Sequence, residues 1–181
     1  ESGAKVIPRP NSISKDESPT EQAISHAVGY LQNQCNIDPK VLVLLQLTSP
    51  LRKEADIDNA IREFQKKKLD SLFSAVKIAD LTLWEKDKSI WKSINFDFKN
   101  RKRRQDRNAQ YIENGSIYIT NKDSFIKENN ILNGKIGVYK MNLWQFWEID
   151  TLSEIDIIEY FFRKNCLAFY ERKIKLEQIQ L

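Results

Sequence analysis

Cysteine, glycine and histidine are all scarce in this chain. Two cysteines, Cys35 and Cys166, are too few for a disulfide framework and form no CxxC pair, so a cross-linked secreted scaffold is excluded and the cytoplasm is the default compartment. The five glycines never cluster, so the sequence holds no glycine-rich phosphate loop. The single histidine, His26, falls on a helical stretch and is read as structural. No apolar run is long enough to cross a bilayer, and the polar, proline-bearing N-terminus is not a signal peptide. No internal repeat or low-complexity tract stands out. The one methionine is Met141 and the first residue is Glu1, which leads us to expect a processed, excised or truncated chain.

What is present is ordinary globular material: 181 residues, 41% hydrophobic and 30% charged, enough for one domain with its own core. The net charge of +4 is unevenly placed, with a dense basic run, KNRKRRQDR, from Lys99 to Arg107. Such a run is read in three ways: a solvated loop, a nucleic-acid patch, or a cradle for phosphates and carboxylates.

Periodicity gives the frame. Ser18-Pro19-Thr20-Glu21 reads as a helix start, followed by Ala23, Ala27, Val28 and Leu31 on one face. Val41–Leu45 is an unbroken apolar run, the pattern of a strand buried on both faces in a parallel sheet. It ends in a polar turn from Gln46 to Arg52. Ile57, Ile61 and Phe64 then recur at helical spacing behind Glu54, Asp56 and Asp58, acids that suit a helix N-terminus. A β-rich run follows from Ser71 to Ile78. This order predicts an α/β fold with Val41–Gln46 and Ser71–Val76 as neighbouring strands. From Leu81 to Asp106 the helical period disappears, and Trp84, Trp91, Phe96 and Phe98 mix with charges, as in a protruding hairpin. The four tryptophans are read as core and interface. Ser116–Thr120 and Lys135–Met141 read as further strands. Thr151-Leu152-Ser153-Glu154 is a capping box opening a helix with Ile155, Ile158 and Phe162 inward. Arg172–Leu181 reads as a further helix.

Three stretches carry candidate chemistry. Leu44–Arg52, reading LLQLTSPLR, follows a strand, the edge at which open α/β sheets bind ligands, and Gln46 there offers both a donor and an acceptor. Alternatively it is an ordinary strand-to-helix loop. Arg103-Arg104-Gln105-Asp106 precedes Glu113-Asn114-Gly115-Ser116-Ile117-Tyr118; Arg104 can grip a carboxylate with two parallel hydrogen bonds, while Asn-Gly before a β run signals a tight turn and Tyr118 faces a pocket or packs. Glu148-Ile149-Asp150 places two carboxylates two residues apart, hence on one side of an extended chain. Such a pair suits a hard cation bridging to phosphates, or is simply two exposed acids near a helix start.

Together these stretches resemble the acylneuraminate cytidylyltransferases, the CMP-sialic acid synthetases. LLQLTSPLR is similar to that family's LLQPTSPLR, RRQD with ENGSIYI to its RRQ and ENG-x-IYI stretches, and EIDTLSEID to its DIDTEEDL. Arg9-Pro10, Asp16 and Thr20 fit its R-P-x-x-x-x-x-D segment ahead of a Ser or Thr. The similarity runs from about Ala4 to Tyr160.

The resemblance implies a partial Rossmann-like nucleotide-diphospho-sugar transferase fold over residues 1–171, with a dimerisation arm at 81–106 and an extension at 172–181. It implies transfer of CMP from CTP to a sialic, legionaminic or pseudaminic type of nonulosonic acid, with pyrophosphate released. Arg9 and Thr20 would contact the cytidine, and Gln46, Asn114 and Tyr118 the sugar. Arg104 would pair with the sugar carboxylate from the partner subunit of a homodimer, and Glu148 and Asp150 would hold Mg²⁺. Arg104 and Asp150 would be the catalytic groups, in a cytoplasmic enzyme that needs neither nucleic acid nor membrane. Three positions depart from the pattern: Leu47 for Pro, Ile112 for Arg and Glu148 for Asp. The family's opening glycine-rich triphosphate loop has no counterpart here, so the 181 residues alone are expected to be inactive or impaired. The rival expectation is a non-catalytic dimeric binding or assembly domain that keeps the fold.

Overall fold

A computed structural model describes residues 3–78 and 81–167. The predicted extra helix at Arg172–Leu181 lies outside the described residues. Among the described residues four α-helices, α1 (Thr20–Cys35), α2 (Asp56–Lys66), α3 (Lys122–Glu128) and α4 (Ile155–Phe162), are interspersed with six strands, β1 (Val41–Leu45), β2 (Ser71–Ile78), β3 (Trp84–Asp87), β4 (Ile90–Ser93), β5 (Gln110–Asn121) and β6 (Ile136–Met141). The fold is mixed α/β, as the alternation of periods predicted.

The helix ends follow local chemistry. Asn36 and Asn129 end α1 and α3 in the left-handed region, at φ 54° and 48°, a conformation asparagine tolerates at helix C-termini. Asn121 caps α3, its side chain accepting from the backbone N–H groups of Asp123 (2.9 Å) and Ser124 (3.2 Å). On α2, Asp56, Ala60 and Phe64 recur every four residues and form the buried stripe. The capping box at 151–154 is present as predicted: Glu154 accepts from the backbone N–H of Thr151 at 2.7 Å, which holds its carboxyl below the usual range. The helix it opens buries Ile158, but Ile155 stays exposed.

The main sheet has the order β1-β5-β2-β6, and β3-β4 is a separate antiparallel hairpin. Strands β1 and β5 run antiparallel, with Val41 opposite Asn121 and Leu45 opposite Ile117. The last residue of β5 meets the start of β2 (Asn121 N–H to Asp70 O, 2.9 Å), so these two are also antiparallel. The starts of β2 and β6 lie side by side (Asp70 N–H to Lys135 O, 3.0 Å), so that pair runs parallel. Two expectations are corrected here. Val41–Gln46 and Ser71–Val76 are not neighbours, because β5 lies between them. Nor is β1 buried on both faces: it is an edge strand in an antiparallel pair, with Val43 and Leu45 exposed. The central place goes to β5, whose residues 114–120 are all buried and whose Ile117 and Ile119 are fully enclosed. Burying such a side chain contributes roughly 1.5–3 kcal/mol, so the longer buried run wins the centre.

The described residues fall into two compact units. One comprises residues 3–47, 54–73 and 116–139. Its core is Val28, Ala60, Phe64, Leu69, Leu72, Ile117, Ile119 and Phe125. The other comprises residues 48–53, 74–78, 81–115 and 140–167. It buries Leu51, Ala75, Val76, Met141, Ile158 and Cys166 alongside four polar side chains, Ser49, Ser74, Asn114 and Gln145. This second unit carries the β3-β4 hairpin. There Trp84 packs on Phe96 (5.3 Å between ring centroids) and Phe98 (5.8 Å), and Arg101 lies over the Phe96 ring. The mixture of aromatics and cations in the sequence is thus a surface laminate, with Lys86 over Trp91, Lys99 over Phe98 and Arg101 and Arg107 over Phe96.

Candidate active site

The turn after β1 is held by its own backbone. Arg52 donates from Nη1 to the Ser49 carbonyl at 2.6 Å, and Leu51 is buried. Its other carbonyls are taken from farther along the chain: Ile149 N–H donates to Thr48 O (2.8 Å), Gln145 Nε2 to Leu51 O (2.9 Å) and Cys166 Sγ to Arg52 O (3.5 Å). Ser49 is itself buried, with its Oγ 3.0 Å from Glu148 Oε1 and 3.2 Å from the Asn114 carbonyl, so one hydroxyl proton serves two acceptors.

Asn114-Gly115 is not a hairpin turn. Both residues lie inside β5, and Gly115 has φ +62°, a kink within the strand that a side chain would strain. The Asn-Gly signal was real but marked this kink. Asn114 is 1% exposed, and its amide is fully engaged. Oδ1 accepts from Ser74 Oγ at 2.7 Å, while Nδ2 donates to Gln145 O at 2.8 Å and approaches Met141 Sδ at 3.4 Å. Gln145 in turn accepts from the N–H (3.1 Å) and the amide (3.1 Å) of Asn142. The result is a closed neutral network joining the 48–53 turn, the middle of β5 and the 142–149 segment.

Glu148 is half-buried and fixed by Ser49, whereas Asp150 is exposed. The backbone N–H of Asp150 donates to Glu154 at 2.8 Å, so the residue stands at the mouth of the capping box. Two carboxylates two residues apart, one oriented by a hydroxyl, are a donor set that Mg²⁺ accepts when substrate phosphates supply the remaining ligands. Among the described residues no group of three or more His, Cys, Asp or Glu could hold a metal by itself. Glu148 and Asp150 thus do not form a closed protein cage for a metal with other described residues.

The other predicted residues are placed as follows. Arg104 is exposed on a short 3₁₀ turn, Arg104–Asp106, and lines an open cavity of about 420 Å³ in the same unit as Asn114 and Glu148. Gln46, Tyr118, Arg9 and Thr20 belong to the other unit. Tyr118 packs inward at 9% exposure, opposite Leu44. Arg9 and Thr20 are exposed. His26 Nε2 lies 2.9 Å from the Pro8 carbonyl, so it pins the segment before Arg9 to α1, a structural role. Both cysteines are free thiols. Sequence reasoning missed Ser49, Ser74 and Gln145. Only Gln145 left a signal, since Asn142-x-x-Gln145 has the capping-box spacing that the structure realises.

An α/β chain in which a strand-end turn, a kinked strand and a paired-acid segment are locked together is a partial Rossmann-like nucleotide-sugar transferase fold. Comparison with known proteins narrows the class. The chain is 25% identical over 183 residues to an N-acylneuraminate cytidylyltransferase of Streptococcus agalactiae, which takes in 96% of this chain and 42% of that protein. It is 31% identical over 144 residues to an N-acylneuraminate cytidylyltransferase of Oncorhynchus mykiss, covering 77% of this chain and 31% of that protein. It is also 25% identical over 138 residues to the post-translational flagellin modification protein B of Campylobacter coli, covering 74% of this chain and 57% of that protein. No family model matches it. The chain is similar to N-acylneuraminate cytidylyltransferases along most of its length, and it spans 42% of the length of the streptococcal relative. No helix among the described residues is long and apolar enough to cross a membrane.

Proposed function

We propose that this chain serves a cytidylyltransferase that joins CTP to a sialic acid-like nonulosonic acid and releases pyrophosphate. The observation that carries the reading is the convergence, within one unit, of the three stretches singled out in the sequence: Ser49 of the LTSPLR turn bonds both Asn114 of the ENG stretch and Glu148 of the paired acids. In the reaction the anomeric hydroxyl attacks the α-phosphorus of CTP. A new O–P bond forms, the bond to pyrophosphate breaks, and the hydroxyl proton leaves to solvent. Positioning and charge neutralisation are the main work of such transfers. Bound Mg²⁺ would offset the charge on the phosphates, and Glu148 with Asp150 would hold it. Arg9 and Thr20 would bind the cytidine. Gln46 and Tyr118 would line the sugar pocket. Arg104 would pair with the sugar carboxylate.

The functional unit we propose is a cytoplasmic homodimer formed through residues 81–106. Ile90, Trp91, Ile94 and Phe98 are each more than half exposed there, and several large apolar side chains exposed along one segment favour an interface. The test is pyrophosphate release with CTP, N-acetylneuraminate and Mg²⁺, measured on a polypeptide that carries these residues together with a triphosphate-binding segment. Asp150→Ala should abolish CMP-sugar formation and leave the fold intact; full activity would sink the metal assignment. The 181 residues assayed alone should turn over close to zero.

A further inference from the structure

Charge along this chain is sorted by segment. Residues 81–106 hold eight cations and four acids, a net +4 that equals the net charge of the whole molecule. From Met141 to Phe162 there are five acids and no Lys, Arg or His. Each segment also leaves large apolar side chains in solvent. In the arm these are Ile90, Trp91, Ile94 and Phe98; in the second segment they are Leu143, Leu152, Ile155 and Tyr160. Leu152, two residues after the paired acids, is 86% exposed, and α4 buries only Ile158. Part of the charge is satisfied locally: Lys92 pairs with Asp87, Arg103 with Asp106 and Arg163 with Glu159. Lys88 and Lys102 in the arm, and Asp150 and Asp156 in the second segment, make no side-chain hydrogen bond or ion pair among the described residues. The single chain thus shows solvent two apolar surfaces, one basic and one acidic. Surfaces of that kind fit each other. Arm against arm would instead set +4 against +4, a repulsion that complementary docking avoids.

We propose that in the homodimer the arm of one protomer docks on residues 141–162 of its partner, with its apolar side chains against Leu152 and Ile155 and its cations toward Asp150 and Asp156. The inference rests on the homodimer reading and adds to it the surface that receives the arm. A two-fold axis repeats the contact, so each protomer gives one arm and receives one.

The test puts a photoactivated cross-linker in the arm (Trp91→p-benzoylphenylalanine), mixes light and heavy isotope-labelled chains, and identifies the joined peptides by mass spectrometry. The expected products join the arm of one label to residues 141–162 of the other. Leu152→Ser, a surface change that spares the fold, should weaken the dimer about tenfold in analytical ultracentrifugation. Val6→Ser, at an equally exposed apolar residue outside both segments, should leave it unchanged. Asp156→Lys should weaken it as well, and raising salt from about 0.05 to 0.5 M should weaken the wild-type dimer more than that of Asp156→Lys. Cross-links from arm to arm overturn this docking and leave the homodimer standing. Links to 141–162 within one chain overturn the second copy as occupant. A dimer indifferent to both Leu152→Ser and Asp156→Lys overturns the docking alone, whereas a chain that stays monomeric at high concentration overturns the docking and the homodimer together. None of these readouts uses turnover, so the cytidylyltransferase reading stands or falls separately.

Discussion

In the unit made of residues 3–47, 54–73 and 116–139, some polar side chains that leave solvent, Ser71, Thr120 and Asn133, are held by neutral hydrogen bonds, and others are tied down by charge. Lys122 is buried between Asp38 (2.7 Å) and Asp123 (2.9 Å), and Tyr139 donates to the buried Asp56 carboxylate at 3.0 Å. In the other unit the same task falls to neutral groups: Ser74, Asn114, Gln145 and Asn142 bond one another in a closed chain, and a carboxylate enters only at its edge, through Ser49 and Glu148. The two devices respond to different perturbations. Charged ties follow pH and salt. A neutral network is indifferent to both, but it is cooperative and fails as a whole when one member is lost. Asn114 sits on the neutral network and Ser49 with Glu148 at its edge, so the geometry of these three should hold across a wide pH range while the charged ties of the other unit loosen at either extreme.

The largest expected effect comes from breaking the neutral network at its hub. Asn114→Leu keeps the volume but removes the acceptor for Ser74 and the donor for Gln145 O. Losing several buried hydrogen bonds together should cost about 3–4 kcal/mol in denaturant unfolding. The loss should be the same at pH 5 and pH 9, and a loss that varied with pH would break the comparison. A smaller cost is expected next door. Gly115→Ala forces a side chain into the left-handed region at φ +62°, for about 1–2 kcal/mol, and Gly115→Asn should cost less because asparagine tolerates that region. Equal costs for Ala and Asn would mean that space, not backbone strain, decides the position.

The sequence carried some of this plainly and some not at all. The helix behind Glu54, Asp56 and Asp58, the strand at Ser71–Ile78, the aromatic hairpin and the capping box at Thr151–Glu154 are local patterns, and each was legible because its cause lies within a few residues, although the buried stripe of that helix is Asp56-Ala60-Phe64 and not the expected Ile57-Ile61-Phe64. Strand order was not. Nothing within Val41–Leu45 says that β5 will pair with it and separate it from β2, because that choice is decided by which run buries more against the rest of the fold. The site was half legible for the same reason. Glu148 and Asn114 stood out by motif, but Ser49, which holds both, is a serine among serines until residues 65 and 99 positions away are brought to it.

On the charged side, Tyr139→Phe should cost about 1–2 kcal/mol at neutral pH by removing a hydrogen bond to a carboxylate. Burial first, and then the negative charge of Asp56, push the Tyr139 phenol up to about 12. A raised folded value means that its contribution is complete below the ordinary tyrosine value of about 10 and is lost as pH rises from there to about 12. Wild-type stability should therefore fall more steeply than that of Tyr139→Phe across this interval. Parallel curves would show that the phenol is not coupled to folding.

The smallest effect is expected at Asp38. Lys122 first, then Lys40 and Gln32, donate to its carboxyl and hold it well below the usual carboxylate range. A depressed folded value contributes stability that is present above the ordinary aspartate value of about 3.9 and is lost as pH falls through the folded one. Asp38 is nearly half exposed, so water and salt screen most of the attraction, whereas Lys122, with only 10% of its side chain exposed, depends on its two acids to remain charged. Asp38→Asn should thus flatten the acid limb of the stability curve below pH 4. It should lower neutral stability only slightly at low salt and not at all at high salt. On the alkaline side Lys122, raised first by Asp38 and then by Asp123, should give up its proton earlier in the variant. An acid limb as steep in Asp38→Asn as in the wild type would place the pH response outside this cluster and remove the contrast between the two units at its weakest point.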